Sequence, residues 1–275
     1  MHFNAPLWAN SLHPFYSILQ EIDYRTILDQ PVVINLNRHL SRFETTKCLM
    51  EQSGFTNIQR FEAIDGFYTT NDFFERLGIF GKVAGVGQKG CAASHLLVWE
   101  DFLKNSEKEF LFVAEDDMLP HSDFLQLFPI YWNLTPPFFD ILLVGNQMNM
   151  TPSEPYLVPE PAFCLHAYII SKKGAQKLLG LYKQVPKDDP GMCIIDIFMV
   201  KAMQQKKIIF YCYNGTKFPD KINHEAGNIS HDRDTGICFQ NARLGSSIHA
   251  TDLIPSKCSL NFDVPITPST DSINQ

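Results

Sequence analysis

The chain reads as an α/β protein: a single domain whose mostly parallel central sheet is flanked by helices. Three observations predict this. Val32-Val33-Ile34-Asn35-Leu36 has strand character, a helical pattern follows it to about Gln52, and a second strand runs from Ile58 to Ile64. Strand, helix and strand at this spacing form a βαβ unit, with its parallel pair and right-handed crossover. Two later runs, Phe110–Ala114 and Phe138–Gly145 (FFDILLVG), are apolar but for Asp140, as expected of strands covered on both faces. Third, no internal repeat and no interdomain linker divides the 275 residues. The expected boundaries are an N-terminal extension at 1–30, one domain at 31–262, and a polar C-terminal tail at 263–275.

Taken in order, residues 1–30 carry aromatics without clear periodicity, with a short helix expected over Tyr16 to Leu28. Ser41 and Glu44 make a capping-box pattern opening the first long helix, and Gly54 is a plausible stop for it. Residues 66–90 read as irregular and glycine-rich. Ala92, Leu96, Trp99 and Leu103 lie on one face of a helix from about Cys91 to Lys104. Residues 146–162 are proline-rich and read as loop, and Phe163–Ile170 as a strand. Ser171 caps the next helix, whose apolar face is Ala175, Leu178, Leu179 and Tyr182. A turn at Asp188–Gly191 leads to a helix over Ile194–Gln205 and a strand over Lys207–Tyr213, after which the chain reads as polar and irregular.

Composition narrows the function. A hydrophobic fraction of 45% with 19% charged residues is that of an ordinary globular protein. The net charge of −7 and the lack of a basic block disfavour nucleic acid as a principal partner. Seven cysteines occur without a CxxC pair, which favours buried thiols in a reducing compartment over zinc or a disulfide framework. No apolar run approaches the roughly 20 residues of a membrane span, and the N-terminal residues do not read as a secretory leader. The expected location is cytoplasmic.

The chemistry is concentrated where the run Phe110–Ala114 meets Glu115-Asp116-Asp117. Three consecutive acids cannot share the burial of the strand they follow. They belong where it leaves the sheet, the carboxyl edge at which open α/β sheets bind ligands. Carboxylates gathered there suit Mg²⁺ or Mn²⁺, and such a cation suits a diphosphate; the competing account is a solvated acidic turn. Gly85-Val86-Gly87-Gln88-Lys89-Gly90 matches G-x-G-x-x-G, but no strand precedes it. Close-packed or flexible backbone explains these glycines better than a nicotinamide dinucleotide does.

Seven segments in this order resemble glycosyltransferase family 25: INLNR (34–38) with Arg42, AIDG (63–66), GQKGCAASH (87–95) with Trp99, VAEDD (113–117), DILLVG (140–145), AYIISKKGAQKLL (167–179) and IDIF (195–198). The resemblance covers about residues 31–235. It implies a GT-A-type, Rossmann-like fold, a nucleotide-sugar donor, a divalent Mn²⁺ or Mg²⁺ ion, and hexose transfer with inversion to a hydroxyl of a glycan or protein acceptor. The donor is expected to be UDP-linked galactose or glucose. By the same resemblance Glu115 and Asp117 fill the metal motif. Asn35, Leu36, Arg38, Arg42, Asp65, Ser94, His95 and Asp116 fall on the donor side. His224 and His231 are candidates for metal or acceptor contacts, in a segment that matches the family loosely.

Inversion needs a carboxylate to take the acceptor proton. Asp196, between Ile195 and Ile197 at a helix opening and at the family's D-x-F position, is the candidate base. Each assignment has a plainer alternative. The plainer readings are an Asp196 that offsets a helix dipole, a His95 that is a packed core imidazole, and an Arg38 and Arg42 that are surface residues. Asp140 reads as a turn acceptor and Cys91 as a packing residue. A relative that binds sugar or nucleotide without turnover is the main rival function, and a nicotinamide oxidoreductase the lesser one.

Overall fold

Strand β1 (Val32–Asn35) is where the sheet begins to be built, and its neighbours on both sides run parallel to it. A computed structural model describes residues 22–80, 85–147, 156–158, 161–186, 194–214 and 234–240. β1 leads through a 3₁₀ turn (Asn37–His39) into helix α2 (Leu40–Gln52) and then β2 (Gln59–Glu62), which gives the expected βαβ unit. The capping box at Ser41 does not form. The helix starts two residues earlier, at Leu40 with His39 as its N-cap, because the 3₁₀ turn delivers the chain already wound, and Ser41 sits inside its first turn. Gly54 follows the helix end with φ 86°, a conformation only glycine adopts freely. Upstream, α1 (Arg25–Leu28) buries Ile27 and Leu28, so chain N-terminal to residue 31 contributes to the packing.

The next stretch is more regular than expected. Helix α3 (Asn71–Arg76) is capped by Thr70, and α4 runs Val86–Asn105, five residues longer at its start than its apolar periodicity indicated. The GVGQKG motif is therefore the opening of a helix, with Gly85 as N-cap, and it does not follow a strand. β3 (Phe110–Glu115) is buried through Ala114 and gives way to a turn at Asp116-Asp117, then to the short β4 (Met118–Pro120). Helix α5 (Phe124–Leu134) was not expected, although Phe124, Phe128, Tyr131 and Trp132 recur at its buried face with helical spacing. Pro129 inside it masks the pattern to a reader of sequence.

β5 (Ile141–Gln147), β6 (Tyr156–Val158), β7 (Phe163–Ser171) and β8 (Phe210–Asn214) complete most of the sheet, in the order β2-β1-β3-β7-β5-β8-β6, and β9 (Asp234–Gly236) pairs with the end of β5. The expectation of a mostly parallel sheet is corrected here. β7 runs antiparallel to both β3 and β5, and β6 and β9 are antiparallel to their partners, so the sheet is mixed. Antiparallel neighbours need no crossover helix, and the described residues between β5 and β7 form only the short strand β6. α6 (Lys172–Tyr182) follows β7 under the predicted Ser171 cap, whose Oγ accepts from Gly174 N–H, and α7 spans Ile195–Gln204. β10 (Cys238–Gln240) pairs with β4, where sequence showed only irregular chain after Asn214.

Helices cover both faces. Trp99 and Phe102 of α4, Leu178 of α6, and Phe198 and Met199 of α7 pack with Leu111, Val113 and Tyr168 on one side. Phe43 and Met50 of α2 and Phe124, Phe128 and Trp132 of α5 pack with Phe110, Phe112 and Ile169 on the other. Alternate residues of β3 thus enter opposite cores, which explains its unbroken apolar run. Asp140 is an acceptor, but not the local turn acceptor it reads as: its Oδ2 takes Lys177 Nζ at 2.6 Å and the Ile209 N–H at 2.7 Å, both far along the chain. Cys48 is disulfide-bonded, against the expectation of thiols, while Cys91, Cys164, Cys212 and Cys238 are free. No helix among the described residues is long and apolar enough to cross a membrane.

Candidate active site

The ends of β1, β2 and β3, the first half of α4, the start of β7, the first turn of α7 and Gln240 of β10 enclose one cleft, with a cavity of about 140 Å³. The close approach of α4 to β2 depends on glycine. A Cβ on Gly66 would lie 1.8 Å from the Val86 carbonyl oxygen, and one on Gly90 would lie 2.4 Å from that of Ile64. Leu36, Arg38, Asp65, Ser94, His95, Glu115, Asp116, Asp117 and Asp196 all line this space. Asn35 and Arg42 stand behind its wall. His224 and His231 lie outside the described residues.

Asp116 is the fastener of the acidic turn. Its Oδ1 accepts from Arg42 Nε at 3.0 Å and Nη2 at 2.6 Å, and its Oδ2 accepts from Asn35 Nδ2 at 2.7 Å. Thr46 Oγ1 donates to its carbonyl at 2.6 Å. Arg42 is 3% exposed, so it is a buried structural cation and not a surface residue. Its charge is directed to Asp116, with Asp117 Oδ2 farther off at 3.6 Å. Removing one partner of such a buried pair typically costs about 3–5 kcal/mol. At the rim, Arg38 Nε donates to Asp65 Oδ2 at 2.7 Å, and its guanidinium lies over the Phe67 ring. Ser94 Oγ accepts from Ile64 N–H at 2.8 Å and donates to the Gly90 carbonyl at 2.7 Å, tying α4 to the end of β2.

Glu115 is held by a chain of rings. Trp99 Nε1 donates to Tyr168 Oη at 2.8 Å, Tyr168 Oη lies 2.9 Å from His95 Nδ1, and His95 Nε2 lies 3.2 Å from Glu115 Oε1. Indole can only donate, so the Tyr168 hydroxyl accepts there and has one hydrogen to give. Placing it on Nδ1 leaves the His95 proton on Nε2, pointing at the carboxylate, and every group is then satisfied. Burial lowers the His95 pKa to about 4, which keeps the ring neutral and makes it a donor by tautomer rather than by charge. His95 is thus a buried imidazole and also the orienting partner of Glu115. Neither Trp99 nor Tyr168 was singled out for chemistry in the sequence, since both match the apolar pattern of a core. Tyr168→Phe is expected to strand the Trp99 and His95 nitrogens, at about 1–3 kcal/mol for each buried group left unpaired. Chemical denaturation of the two proteins measures that loss.

The remaining acids are destabilised as anions. Burial, reinforced by Glu115 and opposed by Arg42, raises the Asp117 pKa to about 7, and its Oδ1 is buried without a hydrogen-bond partner. Burial, again reinforced by Glu115, raises Asp196 to about 6, while the Cys164 N–H bonds it and pulls the other way. Burial raises Glu115 as well. Asp196 is in the first turn of α7, as its dipole reading required, but its burial outweighs any benefit from the helix terminus. Cys164 holds its N–H toward Asp196 from φ 72°, an uncommon conformation for a side-chain-bearing residue. Cys164, Leu165 and Gln240 line the cleft without having been anticipated. Cys91 Sγ lies within 4.8 Å of His95 and Glu115 ligand atoms, but burial keeps the thiol protonated and both His95 nitrogens are already bonded.

Comparison with known proteins fits this arrangement to a family. Residues 29–134, which carry β1 through β4 and the Glu115–Asp117 turn, match the model of glycosyltransferase family 25 (LPS biosynthesis protein). This segment is similar to that family. A glycosyltransferase 25 family member of Drosophila pseudoobscura pseudoobscura is 26% identical over 185 residues, covering 59% of this chain and 29% of the relative. One of Drosophila melanogaster is 27% identical over 185 residues, 59% of this chain and 30% of the relative. The chain therefore spans less than a third of the length of these relatives. Among solved structures, mouse xyloside xylosyltransferase 1 aligns with a TM-score of 0.37 at 9% identity, over 68% of this chain and 85% of that one. The acids, His95 and the 3₁₀ turn at the end of β1 lie inside the matched family 25 segment, whereas Cys164, Asp196 and Gln240 complete the cleft from beyond it.

Proposed function

We propose that this protein is a metal-dependent, inverting glycosyltransferase that moves a hexose, galactose or glucose, from a UDP-linked donor to a hydroxyl of a glycan or protein acceptor. The observation that carries this is the convergence of Glu115, Asp117 and Asp196 on one cleft, with a buried oxygen of Asp117 left unbonded. Carboxylates held at elevated pKa, one with a free lone pair, fit a divalent cation that would restore the charge balance. Glu115 and Asp117 would hold Mn²⁺ or Mg²⁺, while Asp116 is locked to Arg42 and Asn35. When bound, the ion supplies electrostatic stabilisation of the departing diphosphate.

The chain's own residues supply the rest. The His95–Tyr168–Trp99 chain fixes the orientation of Glu115. Arg38 and Asp65, paired across the cleft rim, are placed to meet the donor's polar groups. Asp196, at about pH 6 half ionised, accepts the proton of the attacking hydroxyl as that oxygen bonds to the anomeric carbon and the nucleotide diphosphate leaves. Its elevated pKa makes it a stronger base than a free aspartate, while still ionised at neutral pH.

A donor screen tests the reading. Purified protein is given a panel of nucleotide sugars with Mn²⁺, Mg²⁺ or chelator, and free nucleotide is measured. Release from a UDP-hexose that requires the cation is expected. Donor binding without release, in the presence of acceptor glycans and hydroxylated peptides, would favour a non-catalytic relative, and cation-independent release would overturn the metal assignment.

A further inference from the structure

We propose that Cys91, His95 and Glu115 form a binding site for Zn²⁺ in the cleft, and that Zn²⁺ held there excludes the donor's cation by taking Glu115. The exclusion rests on the metal-dependent reading above; the site itself does not. All three side chains line the cleft. Among the described residues they are the one group of three Cys, His, Asp or Glu whose ligand atoms all lie within 4.8 Å of one another. No CxxC-type spacing announces them, because two ligands come from successive turns of α4 and the third from the end of β3. Cys91 and His95, four residues apart, share one face of that helix.

The distances suit the ion. Tetrahedral Zn²⁺ binds sulfur at about 2.3 Å and nitrogen or oxygen at about 2.0–2.2 Å, which sets its ligand atoms roughly 3.3–3.7 Å apart. His95 Nε2 and Glu115 Oε1, at 3.2 Å, are already close to that spacing. Bringing the Cys91 sulfur onto them takes about 1 Å at most, and a χ1 adjustment of about 30° supplies most of it. The outer shell is also in place. His95 Nδ1 lies 2.9 Å from Tyr168 Oη, which Trp99 Nε1 holds at 2.8 Å. Metal-bound imidazoles use such a partner for their second nitrogen.

The protons described above are what the ion displaces. As Zn²⁺ binds, the ring proton leaves Nε2 and the ring is protonated on Nδ1 instead, where the Tyr168 hydroxyl can accept as well as donate. The Cys91 thiol gives its proton to solvent, because a metal deprotonates a coordinating thiol outright. Asp117, Asp196 and Cys164 line the same space and leave the fourth position to one of them or to water. Thiolate and imidazole select Zn²⁺, whereas Mg²⁺ and Mn²⁺ prefer oxygen, and a mixed site binds Zn²⁺ more tightly than Mn²⁺. A cavity of about 140 Å³ that must also admit a diphosphate leaves no room for two mutually repelling dications on one carboxylate.

The test uses Co²⁺, a spectroscopic stand-in for Zn²⁺, titrated into the intact protein and into Cys91→Ala and Cys164→Ala, followed by back-titration with Zn²⁺. The wild type is expected to show a sulfur-to-cobalt charge-transfer band and intense tetrahedral visible bands, bleached by Zn²⁺. In Cys91→Ala the sulfur band should be absent and Zn²⁺ affinity lower by at least about a hundredfold, beyond what losing an outer-shell partner costs. Cys164→Ala should keep both. Absence of the sulfur band in the wild type overturns the site, even where the variants fail to fold. A band lost in Cys164→Ala and kept in Cys91→Ala overturns it as well. With Mn²⁺ and UDP bound, Zn²⁺ should release the Mn²⁺, read by electron spin resonance. Mn²⁺ retained beside the Zn²⁺ overturns the exclusion. A wild type that binds Zn²⁺ through sulfur and never binds Mn²⁺ sinks the metal-dependent reading and leaves this site standing.

Discussion

Asp196→Asn is expected to lower the rate of sugar transfer by about 10²–10⁴-fold, the range contributed by a positioned general base. Donor binding should survive, because the substituted amide keeps the shape and can still accept the Cys164 N–H. The pH profile makes the result specific. Asp196 must be ionised to act, and its pKa is raised to about 6, so transfer in the wild type should rise as pH increases through 6 and level off above it. Asp117, raised to about 7, must also lose its proton before a cation can bind there, so at limiting metal a second rise should appear near pH 7. Saturating Mn²⁺ should move that second limb downward and leave the first. In Asp196→Asn the limb at 6 should vanish from whatever activity remains. An unchanged rate would transfer the role of base to another group and return Asp196 to a helix-end partner.

Asp117→Asn should separate function from stability in opposite directions. Cation-dependent donor binding is expected to be lost, since the substitution removes the charge and the lone-pair donor most exposed by burial. The fold itself should become more stable at alkaline pH without metal. The folded pKa of about 7 lies above the value near 3.9 of an unfolded aspartate. The group thus favours the folded state fully only below the unfolded value, and that contribution is lost as pH rises through 7. At pH 8 the ionised carboxylate opposes folding by up to an order of 4 kcal/mol. Asparagine cannot ionise, so in chelator its melting temperature should exceed the wild type's by several degrees at pH 8. The gap should close toward pH 5, and added Mn²⁺ should raise the wild type alone. Calorimetric scans at the two pH values check both signs. A variant less stable than the wild type at pH 8 in chelator would mean that Asp117 is a satisfied structural acid.

Much of this was legible in the sequence because it depends on local pattern. The run Phe110–Ala114 ending in acids located a buried strand and its exit, and Ser171 located a cap that forms as read. The convergence of residues as distant as Leu36, Asp65, Glu115 and Asp196 was reached through the family resemblance, since spacing alone does not encode it. What escaped was whatever depends on strand direction or on partners far along the chain. The reversal of β7 has no local signature, so the mixed sheet and the approach of Cys164 and Leu165 to the acids were unreadable. Asn35 and Arg42 were placed on the donor side, yet their polar groups are taken up by Asp116, which only three-dimensional proximity reveals. The roles of Trp99 and Tyr168 were hidden because one residue can fill a core and still orient a neighbour through a single polar atom.

The antiparallel course of β7 has a consequence for the kind of chemistry the cleft can host. A sheet whose strands all point one way brings only carboxyl termini, and hence outward-facing carbonyls, to its working edge. Here one strand arrives backwards and contributes its leading end instead, including the amide of Cys164 that reaches Asp196. A single reversed ribbon thereby mixes hydrogen-bond donors into a rim that would otherwise be rich in acceptors, and gives a proton-accepting acid a fixed counterweight that no side chain has to provide.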